Sequence, residues 1–276
     1  MHSNNDITMI KDTGTVISQH EIAEGIYKMV ICTQAARTAK PGQFISIYSH
    51  DRSRMLPRPI SICDMNVDAW TITVVYRIAG EGTSEFSTWE RGESLQLIGP
   101  IGNGYVLPNA NKSNDDLPYD FPENPHIIAI GGGIGIPPIL GLAKSATVPV
   151  EAVLGYRNAD LFLLEEFQNA GARIHVATDD GSIGVHGTVL DAIKAENVTG
   201  NIIYACGPMP MLRGVKQYAE EKGILCFLSL EERMACGVGA CLGCVTKTKE
   251  KDEHSQVNNK RVCTEGPVFL STEVLL

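Results

Sequence analysis

Residues 127–138 read Ile-Ile-Ala-Ile-Gly-Gly-Gly-Ile-Gly-Ile-Pro-Pro, and this stretch decides the fold of the second half of the chain. A short apolar strand ends in closely spaced glycines, and a helix begins near Ile136. Free backbone N–H groups and the dipole at the start of such a helix suit the pyrophosphate of a dinucleotide. The pattern is not the full dinucleotide fingerprint, because the third glycine position falls on Ile136 or Pro138. We predict a nucleotide site at Gly132, Gly133 and Gly135, with a purely structural turn as the alternative.

Strands and helices alternate after this stretch, which predicts βαβ units and a parallel sheet covered on both faces. The predicted strands are His126–Ile130, Val148–Tyr156, Ala172–Thr178, Ile202–Cys206 and Ile224–Leu230. The predicted helices begin near Ile136 and cover Asp160–Ala170, Thr188–Ala195 and Met209–Lys222.

Two further loops follow strand ends of this predicted sheet, Asp179-Asp180-Gly181-Ser182 and Cys206-Gly207-Pro208. Ligands of open α/β sheets bind outside the carboxyl ends of the strands. Each loop taken alone is more simply a turn into a helix. Together with the glycine-rich loop they outline one crevice, so Cys206 and Gly207 join the predicted nucleotide site.

The first hundred residues carry strand signals instead, with runs of Val, Ile, Thr and Tyr separated by Gly, Pro, Asp or Asn. Short strands at this spacing predict a closed antiparallel barrel, which removes exposed sheet edges. One helical turn is predicted at Thr83–Trp89, with Thr83 as its N-cap. The predicted strands are Thr13–Ser18, Ile26–Thr33, Phe44–Ser49, Pro59–Cys63, Trp70–Ile78 and Ser94–Ile98.

The length of 276 residues allows about two domains and a small third unit. We predict a β-barrel domain at 1–104, a linker at 105–125, an α/β domain at 126–230 and a cysteine-rich subdomain at 231–276. The linker prediction depends on Asn109–Pro125, which is rich in Asn, Asp, Pro and Ser.

Composition and charge exclude several functional classes. A net charge of −9 and 6% aromatic residues argue against nucleic acid as a partner. The longest uncharged apolar stretch is Ile127–Ala143, whose 17 residues include five glycines and two prolines, so no membrane span is expected. Met1–Asp12 lacks a basic region followed by an apolar run, so we expect no secretory signal and a cytoplasmic location with reduced thiols.

Four of the eight cysteines form the most specific pattern in the chain. Cys236, Cys241 and Cys244 read Cys-x4-Cys-x2-Cys, the spacing of plant-type [2Fe–2S] proteins, and Cys263 supplies a fourth thiol. Glycines between them permit the positive φ angles that wrap a cluster closely. A four-cysteine zinc site, which more often has two short Cys-x2-Cys pairs, and unrelated buried thiols are the alternatives. The strand-like positions of Cys32, Cys63 and Cys226 indicate core residues.

Three short segments of the barrel carry groups that suit a flavin. They are Arg58-Pro59-Ile60-Ser61, Val75-Tyr76-Arg77 and Gly82-Thr83. A flavin phosphate is bound by arginine and a helix N-terminus, and the ring needs a polar group near N5 and an apolar wall. Taken one at a time, these residues could equally be solvated arginine and ordinary strand packing.

The order of these motifs resembles the ferredoxin–NADP reductase superfamily: Arg-Pro-x-Ser, Gly-x-Gly-Thr-Ser at 80–84, Gly-Gly-Gly-Ile-Gly-x-x-Pro and Cys-Gly-Pro. With the cysteine pattern, residues 10–276 are similar to the electron-transfer subunits of class 1B dihydroorotate dehydrogenases. The resemblance implies FAD on the three barrel segments, a [2Fe–2S] cluster on the four cysteines, and NAD as the nucleotide. It also implies a heterotetramer, two of each chain, with an FMN-containing catalytic subunit.

The resemblance further implies a route for electrons in pyrimidine biosynthesis, from the FMN of the partner through the cluster and FAD to NAD+. This chain would supply no catalytic acid or base, because its residues position cofactors; Ser61 would lie near flavin N5 and Cys206 near the nicotinamide. Two alternatives remain, a reductase subunit of a ferredoxin–NADP oxidoreductase, sulfite reductase or hydrogenase complex, and a zinc-stabilised binding module. NAD and NADP are not distinguished by the residues, since Tyr156-Arg157-Asn158 contains no acid.

Overall fold

The structure is a computed structural model that describes residues 9–109, 117–251 and 256–276. Its strands are β1 (Ile10–Ala23), β2 (Ile26–Cys32), β3 (Phe44–Ile47), β4 (Arg58–Asn66), β5 (Thr71–Arg77), β6 (Ser94–Ile101), β7 (Ile127–Gly132), β8 (Val150–Tyr156), β9 (Arg173–Thr178), β10 (Val185–His186), β11 (Ile202–Cys206), β12 (Leu225–Ser229), β13 (Val245–Lys247), β14 (Asn259–Arg261) and β15 (Val268–Leu270). Its helices are α1 (Glu81–Phe86), α2 (Ile136–Ser145), α3 (Leu164–Asn169), α4 (Val189–Ala195) and α5 (Met209–Lys222).

The first six strands close into an antiparallel barrel in the order β1-β2-β5-β4-β3-β6. Side chains alternate between the two faces of each strand, so Ile45 and Ile47 of β3 fill the barrel core while Phe44 packs against the C-terminal segment. Closure leaves no strand of the barrel with an unpaired edge. The prediction of a closed antiparallel barrel is therefore confirmed.

The second half forms a seven-stranded sheet in the order β10-β9-β8-β7-β11-β12-β15. Six strands are parallel, and β15 pairs with β12 in the antiparallel sense. The predicted parallel α/β sheet is confirmed, but β15 is not among the predicted strands. Because β15 follows the last cysteine, it fastens the cysteine-rich segment to the nucleotide-domain sheet.

Two predicted helices differ from the structure. The barrel helix begins at Glu81 after Gly80, so Thr83 is its third residue, where its hydroxyl accepts the Ala79 N–H at 2.8 Å. The prediction of Thr83 as N-cap was wrong, although its hydroxyl still satisfies a free backbone donor at the helix start. The helix predicted at 160–170 covers only Leu164–Asn169. Phe162 and Leu163 are buried, and the Tyr156 hydroxyl donates to the Phe162 carbonyl at 2.8 Å, which holds this segment outside the helix.

The barrel and the α/β domain are in direct backbone contact. A Cβ on Gly141 of α2 would lie only 2.8 Å from the carbonyl oxygen of Cys63 on β4, so a larger residue would force the helix away. An ion pair between Lys28 and Glu166 at 2.7 Å and the bond from Glu24 N to Asp160 Oδ2 at 2.8 Å also cross this boundary. These contacts fix the barrel relative to the glycine-rich loop.

The predicted linker is only partly a surface segment. Residues 110–116 of it lie outside the described part of the chain. In the described remainder, Tyr119 packs edge-on against Phe227 of β12 with ring centroids 4.8 Å apart, and Phe121 lies 6.2 Å from the same ring. This part of the segment packs against the hydrophobic core beside β12. Among the described residues, no helix is both long and apolar enough to cross a bilayer.

A charged cluster lies at the amino end of the parallel sheet, away from the predicted crevice. His175 is 5% exposed, and its ring nitrogens face Glu151, at 2.6 Å, and Glu196. His126 lies 3.4 Å from the second oxygen of Glu151. The cluster joins β8, β9 and the end of α4, which indicates a structural role.

We expect His175→Ala to lower the free energy of unfolding by roughly 3 kcal/mol, because removal of the imidazole leaves the largely buried Glu151 carboxylate without this hydrogen-bond partner. Urea unfolding followed by circular dichroism measures the loss. The control is Arg173→Ala, since Arg173 reaches the same Glu151 at 4.0 Å from a side chain that is 78% exposed. Equal losses of unfolding free energy in the two variants would contradict the structural role of the buried His175.

Candidate functional site

Three loops converge at the carboxyl edge of the parallel sheet. Gly131 and Cys206 occupy the same register position on the neighbouring strands β7 and β11. A Cβ on Gly135 would lie 2.3 Å from the Cys206 carbonyl oxygen and 2.6 Å from Gly207 N, so only glycine permits this approach. Gly207 in turn lies against Gly132, because a Cβ added to Gly207 would be 3.1 Å from the backbone nitrogen of Gly132. The structure therefore brings the predicted glycines and Cys206 into one crevice.

The glycine-rich loop leads directly into helix α2. Gly133 has a φ of +52°, a left-handed conformation that favours glycine. Pro137 and Pro138 stand in the first turn, where a residue without an N–H removes no helical hydrogen bond. The Ile136 N–H donates to the Gly133 carbonyl and the two prolines carry no N–H, so a pyrophosphate at this end would meet the positive end of the helix dipole and the backbone of the glycine-rich loop.

Cys206 ends β11 beside Ser229, its register partner on β12. Burial raises the pKa of the Cys206 thiol to about 12, and the hydrogen bond with Ser229 offsets only part of that rise. The thiol therefore stays protonated and uncharged at neutral pH. An uncharged, polarisable group at this position suits a neighbour of a nicotinamide ring, and that role stays a prediction for Cys206.

Backbone hydrogen bonds hold the acidic loop after β9 against the end of β8. Asp179 N donates to the Tyr156 carbonyl at 3.1 Å, and Asp180 N donates to the Arg157 carbonyl at 3.3 Å. Both carboxylates are exposed, and hydrogen bonds from Ser182 lower the pKa of Asp180. The loop that carries these two negative charges thus lies beside Arg157 at the end of β8, the position at which dinucleotide-binding folds hold the ribose.

Arg58 and Gly82 form a cradle at one side of the barrel. A Cβ on Gly82 would lie 2.3 Å from Arg58 Nε, so the guanidinium rests directly on the backbone of α1. The guanidinium also donates to the carbonyl of Leu56. A cation held beside a helix start provides the donors that a flavin pyrophosphate needs, so these residues fit FAD.

The other predicted flavin residues occupy both faces of their strands. Ser61 of β4 is register partner to Phe44, on the outer face of the barrel. Val75 is buried, and Arg77 is exposed. The Tyr76 side chain points into the barrel core, where its hydroxyl donates to Gln19 Oε1 at 2.8 Å. Only the backbone of Tyr76 is therefore available to a flavin, while Ser61 keeps its side chain on the outer face.

The four predicted cluster ligands lie as two pairs. Cys236 is in hydrogen-bonding contact with Cys241, and Cys263 with Cys244. Burial acts to raise the pKa of the Cys236 thiol. The hydrogen bond from Val238 N–H and the contact with Cys241 have a larger combined effect in the opposite direction, and they lower this pKa to about 7. Burial and the neighbouring Cys244 raise the pKa of Cys263 to about 11. A two-iron cluster takes two thiolates on each iron, so this pairing fits [2Fe–2S].

The cysteine loop is shaped by glycines and rests on the barrel. Gly237 and Gly239 have φ angles of +67° and +82°. Backbone N–H groups of Val238 and Gly243 point at the sulfurs of Cys236 and Cys241, each at 3.4 Å. Such donors stabilise thiolates and tune a cluster. Within the described residues, no three Cys, His, Asp or Glu side chains are grouped around one point as a single metal ion would need.

The remaining cysteines lie outside the cluster. Cys63 and Cys226 are buried, and burial raises the pKa of each to about 12. Cys32 is half-buried near the end of β2. Cys63 and Cys226 therefore occupy the core as predicted, whereas Cys32 belongs to none of the core clusters that the described residues form.

Comparison with known proteins gives a consistent result. The family model described as the iron-sulfur cluster binding domain of dihydroorotate dehydrogenase B matches residues 231–275. A Streptococcus mutans protein named dihydroorotate dehydrogenase B (NAD(+)), electron transfer subunit, is 40% identical, covering 97% of this chain and 99% of the relative. A Geobacillus kaustophilus protein of the same name is 38% identical, covering 95% and 97% of the two chains.

Solved structures support the same fold. A structure described as the NADH-dependent reduced ferredoxin-NADP oxidoreductase superposes with a TM-score of 0.80 at 27% identity, covering 95% of this chain and 89% of that chain. A ferredoxin reductase in carbazole 1,9a-dioxygenase gives a TM-score of 0.64 at 19% identity, covering 79% and 68%. The second likeness concerns the barrel and α/β architecture alone.

Proposed function

The chain belongs to the family of electron transfer subunits of dihydroorotate dehydrogenase B, and from this premise we propose that it connects a dihydroorotate-oxidising catalytic subunit to NAD+ in pyrimidine biosynthesis. The observation that carries the proposal is the meeting of three cysteines, in a loop that rests on the barrel, with a fourth, Cys263, from later in the chain. One chain thereby holds a cluster loop, a flavin cradle and a nucleotide crevice. When bound, the [2Fe–2S] cluster supplies one-electron transfer, and FAD exchanges single electrons for a hydride.

The chain's own residues bind and orient these groups. Arg58 and the backbone at Gly82 and Thr83 hold the flavin pyrophosphate, and Ser61 offers a hydroxyl to the ring. Gly132, Gly133 and Gly135 admit the nucleotide pyrophosphate to the start of α2. Cys206 borders the nicotinamide as an uncharged thiol. Cys236, Cys241, Cys244 and Cys263 hold the two irons.

We propose an FMN-containing catalytic subunit as the partner, in a heterotetramer of two chains of each kind. The name shared by the relatives supports a catalytic partner, since an electron transfer subunit acts with one. We also propose a cytoplasmic location, because eight free cysteines suit a reducing compartment.

Reconstitution with a dihydroorotate-oxidising FMN subunit tests the function. We expect the mixture to reduce NAD+ with dihydroorotate as donor, whereas each chain alone does not. Size-exclusion chromatography with light scattering of the mixture tests the heterotetramer. If the loaded chain reduces ferredoxin with NADPH but never couples to dihydroorotate, the proposal is wrong and the ferredoxin–NADP reductase alternative holds.

We expect NAD+ to be preferred to NADP+ because Asp179 and Asp180 repel a ribose 2′-phosphate. The double variant Asp179→Asn/Asp180→Asn should raise kcat/KM for NADP+ roughly 30-fold, since one charge pair at 4 Å in water contributes about 1 kcal/mol and the two carboxylates together contribute about 2 kcal/mol. Steady-state rates with both nucleotides measure the change. The control is Glu165→Gln, an exposed acid on α3. An unchanged NADP+ rate would assign the preference to other residues.

A further inference from the structure

The hydroxyl of Ser46 is buried without a partner. Ser46 lies in the middle of β3 and is 1% exposed, and its Oγ has no hydrogen-bond partner in the structure. A buried hydroxyl that makes no hydrogen bond costs about 1–3 kcal/mol. An unpaired buried group in a folded protein needs an explanation, such as a bound water, ion or cofactor, and the surroundings of the group indicate which.

Ser46 faces the cysteine loop. Strand alternation sends Ile45 and Ile47 into the barrel core, so Ser46 points outward together with Phe44. Phe44 belongs to the same packed cluster as Cys244 and Cys263. A Cβ on Gly237 would lie 3.3 Å from Ser46 Oγ, which places the hydroxyl directly beneath the loop that begins at Cys236.

Ser46 also neighbours the flavin segment. Its register partner across the β3–β4 pair is Pro59, within the Arg58–Ser61 segment. The residue thus stands between the strand that carries the flavin cradle and the loop that carries the cluster ligands. A hydroxyl at this position would donate a hydrogen bond to a bound cluster from the barrel side. The backbone N–H groups of Val238 and Gly243 belong to the cysteine loop itself and donate to the sulfurs of Cys236 and Cys241.

We propose that Ser46 donates a hydrogen bond to a sulfide of the [2Fe–2S] cluster and thereby raises the cluster's reduction potential. This inference rests on the proposed function, because it requires the cluster. Sulfur acceptors are what cluster binding adds above this hydroxyl. A donor stabilises the reduced cluster more than the oxidised one, since reduction adds negative charge. Ser46 is a positioning and tuning residue and touches no substrate.

The test compares the holoprotein with its Ser46→Ala variant. We expect the ratio of reduced to oxidised cluster at a fixed ambient potential to fall about tenfold, which is a shift of about −59 mV for one electron. Redox titration followed by the visible spectrum measures it. Pulsed electron-nuclear resonance of the reduced protein in H2O and D2O should show one exchangeable proton coupling fewer in the variant.

The matched control is Ser271→Ala, because Ser271 is also a buried serine, 2% exposed, but its hydroxyl is already paired with the thiol of Cys226, which is not a cluster ligand. It should leave the cluster potential unchanged. Ser46→Thr keeps the hydroxyl and should restore both the potential and the proton coupling. If Ser46→Ala does not load iron, the cluster potential and the exchangeable proton coupling of Ser46→Thr decide whether the hydroxyl donates to the cluster.

Two failures are distinguishable. Wild-type protein without two irons and two labile sulfides would overturn the proposed function itself. A loaded Ser46→Ala protein with the wild-type cluster potential and proton couplings would overturn only the role of Ser46. A shift in the flavin potential alone would also overturn it, because the acceptor would then be the flavin.

Discussion

Replacing Cys241 by alanine will lower dihydroorotate-dependent NAD+ reduction by more than about 100-fold, because loss of an outer-shell partner alone costs up to that much and Cys241 is a direct ligand. Cys241 is exposed, so truncation leaves no cavity in the core. Oxidation of NADH by ferricyanide should stay within about twofold of wild type, since it needs the flavin and nucleotide sites but not the cluster. The measurements are iron content, the visible spectrum and the two steady-state rates.

The control for this variant is Cys32→Ala, which removes a half-buried thiol that lies outside the cluster. It should keep two irons and the full rate with dihydroorotate. A Cys241→Ala protein that retains both irons and the wild-type rate would remove Cys241 from the ligand set. Cys236 and Cys241 would then not be the two thiolate ligands of the same iron.

The parts of the site that could be predicted are those that local spacing determines. The Cys-x4-Cys-x2-Cys pattern places three ligands in one loop, and the rule that parallel strands meet at a common carboxyl edge brings Gly135 to Cys206. The closed barrel followed from short strands separated by turn residues. These features follow from local spacing combined with general rules of strand pairing, so they can be read from the residues themselves.

The parts that could not be predicted depend on packing between distant segments. β15 forms because the chain after Cys263 returns to the free edge of β12, which no local pattern indicates. Tyr76 was expected to contribute to the flavin site, but the alternation of β5 turns its ring into the core. Ser46 has an ordinary strand sequence around it, and its role emerges only when Gly237 is placed above it.

Substituting alanine for Gly135 will lower kcat/KM for NAD+ by about 100-fold. The new Cβ would lie 2.3 Å from the Cys206 carbonyl oxygen, 2.5 Å from its carbonyl carbon and 2.6 Å from Gly207 N. All three are backbone atoms, so the clash is relieved only when the loop after β11 moves away from the glycine-rich loop. A displacement of about 1 Å in a reacting geometry costs about 100-fold in rate.

The control for Gly135→Ala is Gly214→Ala in helix α5, where the added Cβ meets only Leu190 Cδ1 at 3.2 Å. That change should leave the rate unaltered and can stabilise the helix by up to about 1 kcal/mol. Gly135→Ala should still bind FAD and two irons, and dihydroorotate should still reduce its cluster in the complex, because the cluster ligands lie in a separate loop. If kcat/KM for NAD+ stays within twofold of wild type, the crevice between Gly135 and Cys206 is not where the nucleotide reacts.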